Sequence, residues 1–149
     1  TYLRPQNKLC LNLDPVKNKD QNMKKEKFVI EYDLKSVSPT LLWTYIGSAN
    51  GLADWFADSV ICDGKEYTFI WNKTPQKAVQ TAVRTGFYIR FHWEEDGAEK
   101  TYFELRIATS ELTGSTVLTI TDFATPDEQA SNRELWDTQI DDLRRTLGL

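Results

Sequence analysis

Residues Lys27 to Leu34 alternate: Phe28, Ile30, Tyr32 and Leu34 share one face, and Val29, Glu31 and Asp33 the other. A period of two over this stretch predicts a half-buried strand. Ser38-Pro39 then opens a helix, with serine as the N-cap and proline at the first helical position, where its missing N–H costs nothing. Leu41, Leu42, Tyr45 and Ile46 give this helix an apolar stripe beside Trp43, and it stops near Gly47. A second short helix, about Asn50 to Phe56, carries Leu52, Trp55 and Phe56.

Beyond Asp58 the chain reads as strands separated by turn signals. Ser59–Cys62 leads through Asp63-Gly64 into Glu66–Trp71, whose Tyr67, Phe69 and Trp71 share a face. A turn at 72–75 precedes a polar strand over Lys77–Arg84. Thr85-Gly86 turns into Phe87–Glu94, Asp96-Gly97 into Lys100–Thr109, and Thr113-Gly114 into Ser115–Asp122. Phe87, Ile89, Phe91 and Trp93 are expected on one face, and Phe103, Leu105 and Ile107 on one face of the next strand. The final segment is a long helix, acidic at its start (Asp127, Glu128) and basic at its end (Arg144, Arg145), which suits the helix dipole. Trp136, Ile140, Leu143 and Leu147 form its apolar face, and Gly148 closes it.

The predicted class is α+β: a curved seven-stranded antiparallel sheet around a long C-terminal helix, with two short helices after strand one. A sheet that curls around one amphipathic helix buries a face of each. A closed barrel would leave the two short helices without a place.

Composition narrows the function. The 149 residues include five Trp, six Tyr and seven Phe, so the interior is expected to be unusually aromatic. Residues 1–27 carry a net charge of +4 and residues 28–149 one of −8, for a total of −4. A folded part this acidic repels phosphate backbones and anionic lipid surfaces, which argues against a nucleic-acid partner. No apolar run approaches the ~20 residues of a membrane helix, so membrane insertion is not expected. No secretory signal pattern opens the chain, so a cytoplasmic location is expected. Met23, the only methionine, opens Met23-Lys24-Lys25-Glu26-Lys27, a typical bacterial start. Residues 1–26 are therefore expected to be an upstream extension or disordered tail, with the domain at 27–149.

Gly51-Leu52-Ala53-Asp54-Trp55-Phe56-Ala57-Asp58 resembles the segment that follows the first two helices in Hsp90-activator-homology (AHSA1-like) and polyketide-cyclase-like proteins. Phe69-x-Trp71, Arg90-Phe91-x-Trp93, Tyr102-Phe103-Glu104-Leu105 and Thr121-Asp122-Phe123 resemble a START-like family found mainly in Bacteroidetes. With the order of elements, they identify the chain as resembling the START-like (SRPBCC, Bet v 1-like) superfamily. That resemblance implies a helix-grip fold over 27–149. The superfamily spans lipid carriers, hormone receptors, cyclases and co-chaperones, so it implies no single activity.

The aromatic faces admit two readings, a solid core or a cavity for a hydrophobic or lipid-like ligand. For the cavity, the expected lining is Trp43, Trp55, Phe69, Trp71, Phe91, Trp93, Phe103, Leu105, Trp136 and Ile140. His92, between Phe91 and Trp93, is expected on the opposite face with Tyr88 and Arg90, away from any cavity. Arg90 and Glu104 are expected to pair across strands on that outer face. Asp54 and Asp58 read as helix-end and turn residues.

A binding module for a small hydrophobic ligand ranks first. An Hsp90-activator-like protein-interaction domain comes second, and a polyketide cyclase or aromatase-like enzyme third. No catalytic residues and no cofactor are expected, and neither the ligand nor the oligomeric state is legible here. Cys10, Cys62 and a single histidine supply no metal-ligand set. Elemental analysis of protein purified without EDTA should therefore find less than stoichiometric zinc and iron; a full equivalent of either would overturn that expectation.

Overall fold

The computed structural model describes residues 24–149. Of the extension expected over residues 1–26, residues 1–23 lie outside the described residues, whereas Lys25 pairs with Asp96 at 2.6 Å and Glu26 already belongs to the first strand. Ten elements follow in order: β1 (Glu26–Asp33), α1 (Pro39–Ile46), α2 (Ala49–Ala53), β2 (Ser59–Asp63), β3 (Glu66–Trp71), β4 (Thr74–Arg84), β5 (Tyr88–Trp93), β6 (Phe103–Thr109), β7 (Thr116–Ala124) and α3 (Gln129–Leu147). The sheet order is β1-β7-β6-β5-β4-β3-β2, antiparallel throughout. The first strand thus lies beside the last, and α3 packs on the face where the aromatics gather. This is the helix-grip arrangement.

Local chemistry explains the joints. The Ser38 hydroxyl accepts from the Leu41 N–H at 3.3 Å, and Ser48 caps α2 by accepting from Gly51 at 3.0 Å. At Gly51 a Cβ would overlap the Thr44 carbonyl, so only glycine lets α2 fold back on α1. The expected 72–75 turn is a two-residue loop: Asn72 and Lys73 both have positive φ, 49° and 66°, and β4 starts at Thr74. Two such residues match the twist of the flanking strands. β4 is longer than predicted and carries a bulge between Gln80 and Ala82.

Other element ends differ from the sequence pattern. α2 stops at Ala53, so Trp55 and Phe56 leave the helix and turn inward from a loop. β6 begins at Phe103 rather than Lys100, because residues 94–101 are taken up by a short 3₁₀ turn and a loop. A second 3₁₀ turn at Pro126–Glu128 delays α3 until Gln129.

Trp136, Ile140 and Leu143 of α3 are fully buried. The Trp136 indole N–H donates to the Asp122 carboxylate of β7 at 2.8 Å, so the ring is positioned as well as buried. Tyr32 donates its hydroxyl to Asp137 at 2.7 Å, tying α3 to β1 as well. Burial, and then the bond to Asp137, push the Tyr32 hydroxyl pKa far above its ordinary value. Replacing Trp136 with alanine should cost ~3–5 kcal/mol, read as a lower urea midpoint. An unchanged midpoint would mean that α3 is not the element on which the core is built.

Candidate functional site

Nine of the ten residues expected to line a cavity are buried: Trp55, Phe69, Trp71, Phe91, Trp93, Phe103, Leu105, Trp136 and Ile140. The tenth, Trp43, is half-buried at the edge of the core, where its indole covers Gly47. Most of these rings touch one another. Phe91 and Phe103 stack at 5.1 Å, Trp93 and Phe103 at 5.0 Å, and Phe69 meets Phe91 and Trp93 edge-on at 5.5 and 5.7 Å. Such offset and edge-to-face pairs are favourable packing geometries.

Phe56 is the hub that the sequence pattern missed. Its ring contacts Trp55, Phe69, Trp71, Phe103 and Trp136, at centroid distances of 5.2 to 5.6 Å. Its carbonyl accepts the Trp71 indole N–H at 2.8 Å and the Gln139 amide at 3.0 Å. Phe87, by contrast, does not join the interior face of β5. It sits in the turn before the strand begins, half exposed, with the Arg84 guanidinium 4.5 Å over its ring. The residue after Gly86 is still completing the turn, so strict alternation starts one position later.

Where the cluster nears the surface, a cleft of about 400 Å³ opens between the 53–58 segment, Trp71 and the last turns of α3. Its lining includes Trp55, Phe56, Trp71, Asp54, Asp58 and Asp142, with Arg145 and Thr146 on the helix side. Asp54 caps α2 and Asp58 holds the β3–β4 turn, as their turn-like context predicts. Asp58 accepts the Asn72 N–H at 2.7 Å, and that bond holds its carboxyl below the usual range. The Asp58 carboxylate therefore serves the backbone, and with that of Asp54 it adds negative charge to the cleft. Asp142 and Arg145 pair one turn apart on α3.

Apart from the Arg145 guanidinium, the donors in this cleft have partners within the protein. The Trp55 indole N–H goes to the Tyr45 carbonyl at 2.8 Å, and that of Trp71 to Phe56. The Thr146 hydroxyl donates to the Asp142 carbonyl at 2.9 Å. Backbone N–H groups of Asp54, Trp55, Phe56, Ala57 and Asp58 bond to Gly51, Leu52, Leu52, Leu52 and Ile70 respectively. What the cleft retains is carboxylate acceptors, aromatic carbon and the remaining N–H groups of Arg145.

The outer face of the sheet has a different character. Glu104 on β6 faces Arg90 on β5 in register, with an Arg90 nitrogen at 2.9 Å, and Arg106 reaches the same carboxylate at 3.0 Å. The expected cross-strand pair is present, enlarged by a second arginine. Arg90 also stacks 3.9 Å over Tyr102, and Arg106 4.2 Å over Tyr88. His92 is on this face but only half-buried rather than open to solvent. Its Nδ1 lies 2.7 Å from the Thr101 carbonyl and its Nε2 2.8 Å from that of Gly97. Each ring nitrogen faces a carbonyl of the 94–101 segment, and whichever carries the proton donates to it, an arrangement that suits a structural histidine better than a general base.

The model of the START-like superfamily domain matches residues 22–149. Among solved structures, BfR322 from Bacteroides fragilis is 49% identical, with 83% of this chain and 92% of that one covered and a TM-score of 0.60. The Aha1 dimer from Colwellia psychrerythraea shares the fold at 16% identity, with coverages of 82% and 96% and a TM-score of 0.64. So does DynU16, a protein of the dynemicin biosynthetic locus, at 13% identity, with 84% of this chain and 48% of that one covered and a TM-score of 0.67. No curated protein matches the sequence.

Burial opposes the charge on Glu104, but hydrogen bonds from Arg106 and Arg90 outweigh it and hold the pKa below the ordinary glutamate value. Folded protein therefore binds fewer protons here than unfolded protein, and the contribution is complete at neutral pH. It is lost as the pH falls from about 4.3 through the lower, folded value. Glu104→Gln should lower stability by roughly 1 kcal/mol at pH 7, because the arginines are substantially exposed. The difference from wild type should close on acidification; urea midpoints across the acid range that stay parallel would show that the pair contributes nothing.

Proposed function

Since the chain belongs to the START-like superfamily, we propose that it is a binding module for a small ligand with a hydrophobic body, held between the sheet and the C-terminal helix. The observation that supports this most directly is the cleft beside Trp55, Phe56 and Trp71. It leads from solvent to the aromatic cluster at the point where loop, sheet and helix meet. Ligand sites of ~300–1,000 Å³ with aromatic walls and a few placed polar groups are common. The ten aromatic and aliphatic residues expected from the sequence form the body of that site in this reading. Phe69, Phe91, Trp93, Phe103 and Leu105 form its deep wall, and Trp55, Trp71 and Trp136 lie nearer the helix. Trp43 sits at its margin. Ligand entry past the cleft requires the rings to separate, whereas binding in the cleft itself does not.

A second reading has its own support on the outer face. Arg90, Arg106, Tyr88 and Tyr102 form an arginine–tyrosine array of the composition enriched in protein interfaces. A protein-interaction domain related in fold to the Hsp90 activators would use such a surface and leave the interior closed. The enzyme reading, of the polyketide cyclase type, has no comparable observation in its favour.

Titration with the neutral fluorophore N-phenyl-1-naphthylamine separates the two readings. The binding-module reading expects saturable quenching of tryptophan emission at about one probe per chain, with Kd near 1–10 μM, or about −7 to −8 kcal/mol. Thr146→Trp, an exposed helix position on the cleft rim, should weaken the probe without lowering stability, whereas Arg90→Ala should leave binding unchanged. A probe that does not bind wild type, or binds it and Thr146→Trp equally, sinks the module reading and leaves the outer face as the functional surface.

A further inference from the structure

We propose that the 94–101 segment is a proton-dependent strap, seated firmly when the His92 imidazole carries a proton on both ring nitrogens and loosened when it carries one. This goes beyond both functional readings and rests on neither.

The geometry of the ring carries it. His92 lies on the outer face of β5, and the chain folds back against it between the end of β5 and the start of β6. Nδ1 lies 2.7 Å from the Thr101 carbonyl and Nε2 2.8 Å from the Gly97 carbonyl, both within the segment. A carbonyl oxygen accepts and cannot donate, so each nitrogen needs a proton of its own to make a bond. A neutral imidazole has one N–H and one lone pair. In either tautomer one carbonyl is bonded, and the other faces a lone pair at hydrogen-bond distance. The imidazolium donates to both, and such charge-assisted bonds are stronger than neutral ones. Gain of one proton therefore adds a bond between strand and segment, and its loss sets two electron pairs against each other.

The neighbouring charges largely answer one another. On β5, Arg90 shares the face of His92 and is paired with Glu104 of β6. From β4, Val79 stands in register with the ring and brings no charge, and Glu94 lines a separate hollow beside Val79. From the segment itself, Glu99 and Lys100 lie near the ring with opposite signs, and Asp96 is bonded to Lys25 at 2.6 Å and to Thr101 at 2.5 Å. Tyr102 is stacked beneath Arg90, with Lys27 5.9 Å from the same ring. The segment also supplies Glu99, Lys100 and Thr101 to a shallow hollow of about 360 Å³ on the outer face, which Arg90, His92 and Tyr102 help to complete. Loosening the strap reshapes that hollow beside the arginine–tyrosine array, so a proton on His92 acts on the outer face.

Hydrogen exchange of the full chain between about pH 5.5 and about pH 7.5 tests this, since histidine is the side chain that ordinarily changes charge in that range and His92 is the chain's one histidine. The reporters are the Gly97 and Glu99 amides, which bond to Glu94 and Asp96 inside the segment. Their protection, corrected for intrinsic exchange at each pH, should fall about tenfold as the pH rises. It should follow the fraction of rings carrying two protons, read from the ring ¹⁵N shifts in the same samples, while the Leu105 amide in the core keeps its protection. In His92→Gln, whose amide has donors at one end only, protection of the two reporters should no longer depend on pH. Wild-type reporters whose protection stays constant overturn the proposal without any variant. So does a fall shared equally by Leu105, which would mark a change in global stability, or one that persists in His92→Gln.

Discussion

One main-chain carbonyl joins the three parts of this domain. Phe56 O lies in the loop after α2 and accepts from Trp71 at the end of β3 and from Gln139 in the middle of α3. Loop, sheet and C-terminal helix therefore meet on a single buried acceptor. Loss of that geometry would leave two buried donors unpaired, each at a cost of about 1–3 kcal/mol. The ring of the same residue is the centre of the aromatic cluster, so one position specifies both the polar and the apolar part of the junction. The bond from Trp136 to Asp122 does the same work further back along α3, fixing how the helix is rotated over the sheet.

Alternation and helical periodicity made the architecture legible. The concave faces of β3, β5 and β6, the capping of α1 and the stripe Trp136–Ile140–Leu143 all follow from spacing alone, because each element buries one face and exposes the other. The register of Arg90 against Glu104 was readable for the same reason. Positions that escape the pattern are those where the chain leaves a regular element. Phe56 lies past the end of α2, where no period applies, and its importance comes from a carbonyl that every residue possesses. Phe87 follows a turn glycine and belongs to the turn, although its side chain suits the strand. Gln139 is a polar residue on the apolar stripe of α3, and only the position of the Phe56 carbonyl explains why it is buried.

The aromatic interior was legible in composition, but the cleft was not: of the ten residues expected to line a cavity, Trp55 and Trp71 line it. Tryptophan and phenylalanine content announced an aromatic interior, and the residues expected to share it do gather there. Asp54 and Asp58 read as turn residues and are turn residues. Their second role arises because the C-terminal end of α3, more than eighty residues later, brings Asp142 and Arg145 to the same place. Spacing arguments do not reach across that distance.

The two faces of the sheet spend their aromatic residues differently. On the concave side the rings pack against one another, and dispersion and burial, which have no directional preference, dominate. On the convex side Tyr88 and Tyr102 lie beneath guanidinium groups that Glu104 holds in place, so each ring and charge is used for geometry. A closely packed interior of this kind resists a ligand that must part many rings at once, since close-packed interiors tolerate little change in volume. The 53–58 segment is tied at its ends by backbone bonds to Leu52 and Ile70 and at its middle by Phe56, and its side chains reach both the cluster and solvent. In the binding-module reading, the cleft beside that segment is where a ligand reaches the rings without parting them, and the chemistry of its rim, more than the size of the core, then decides what is bound.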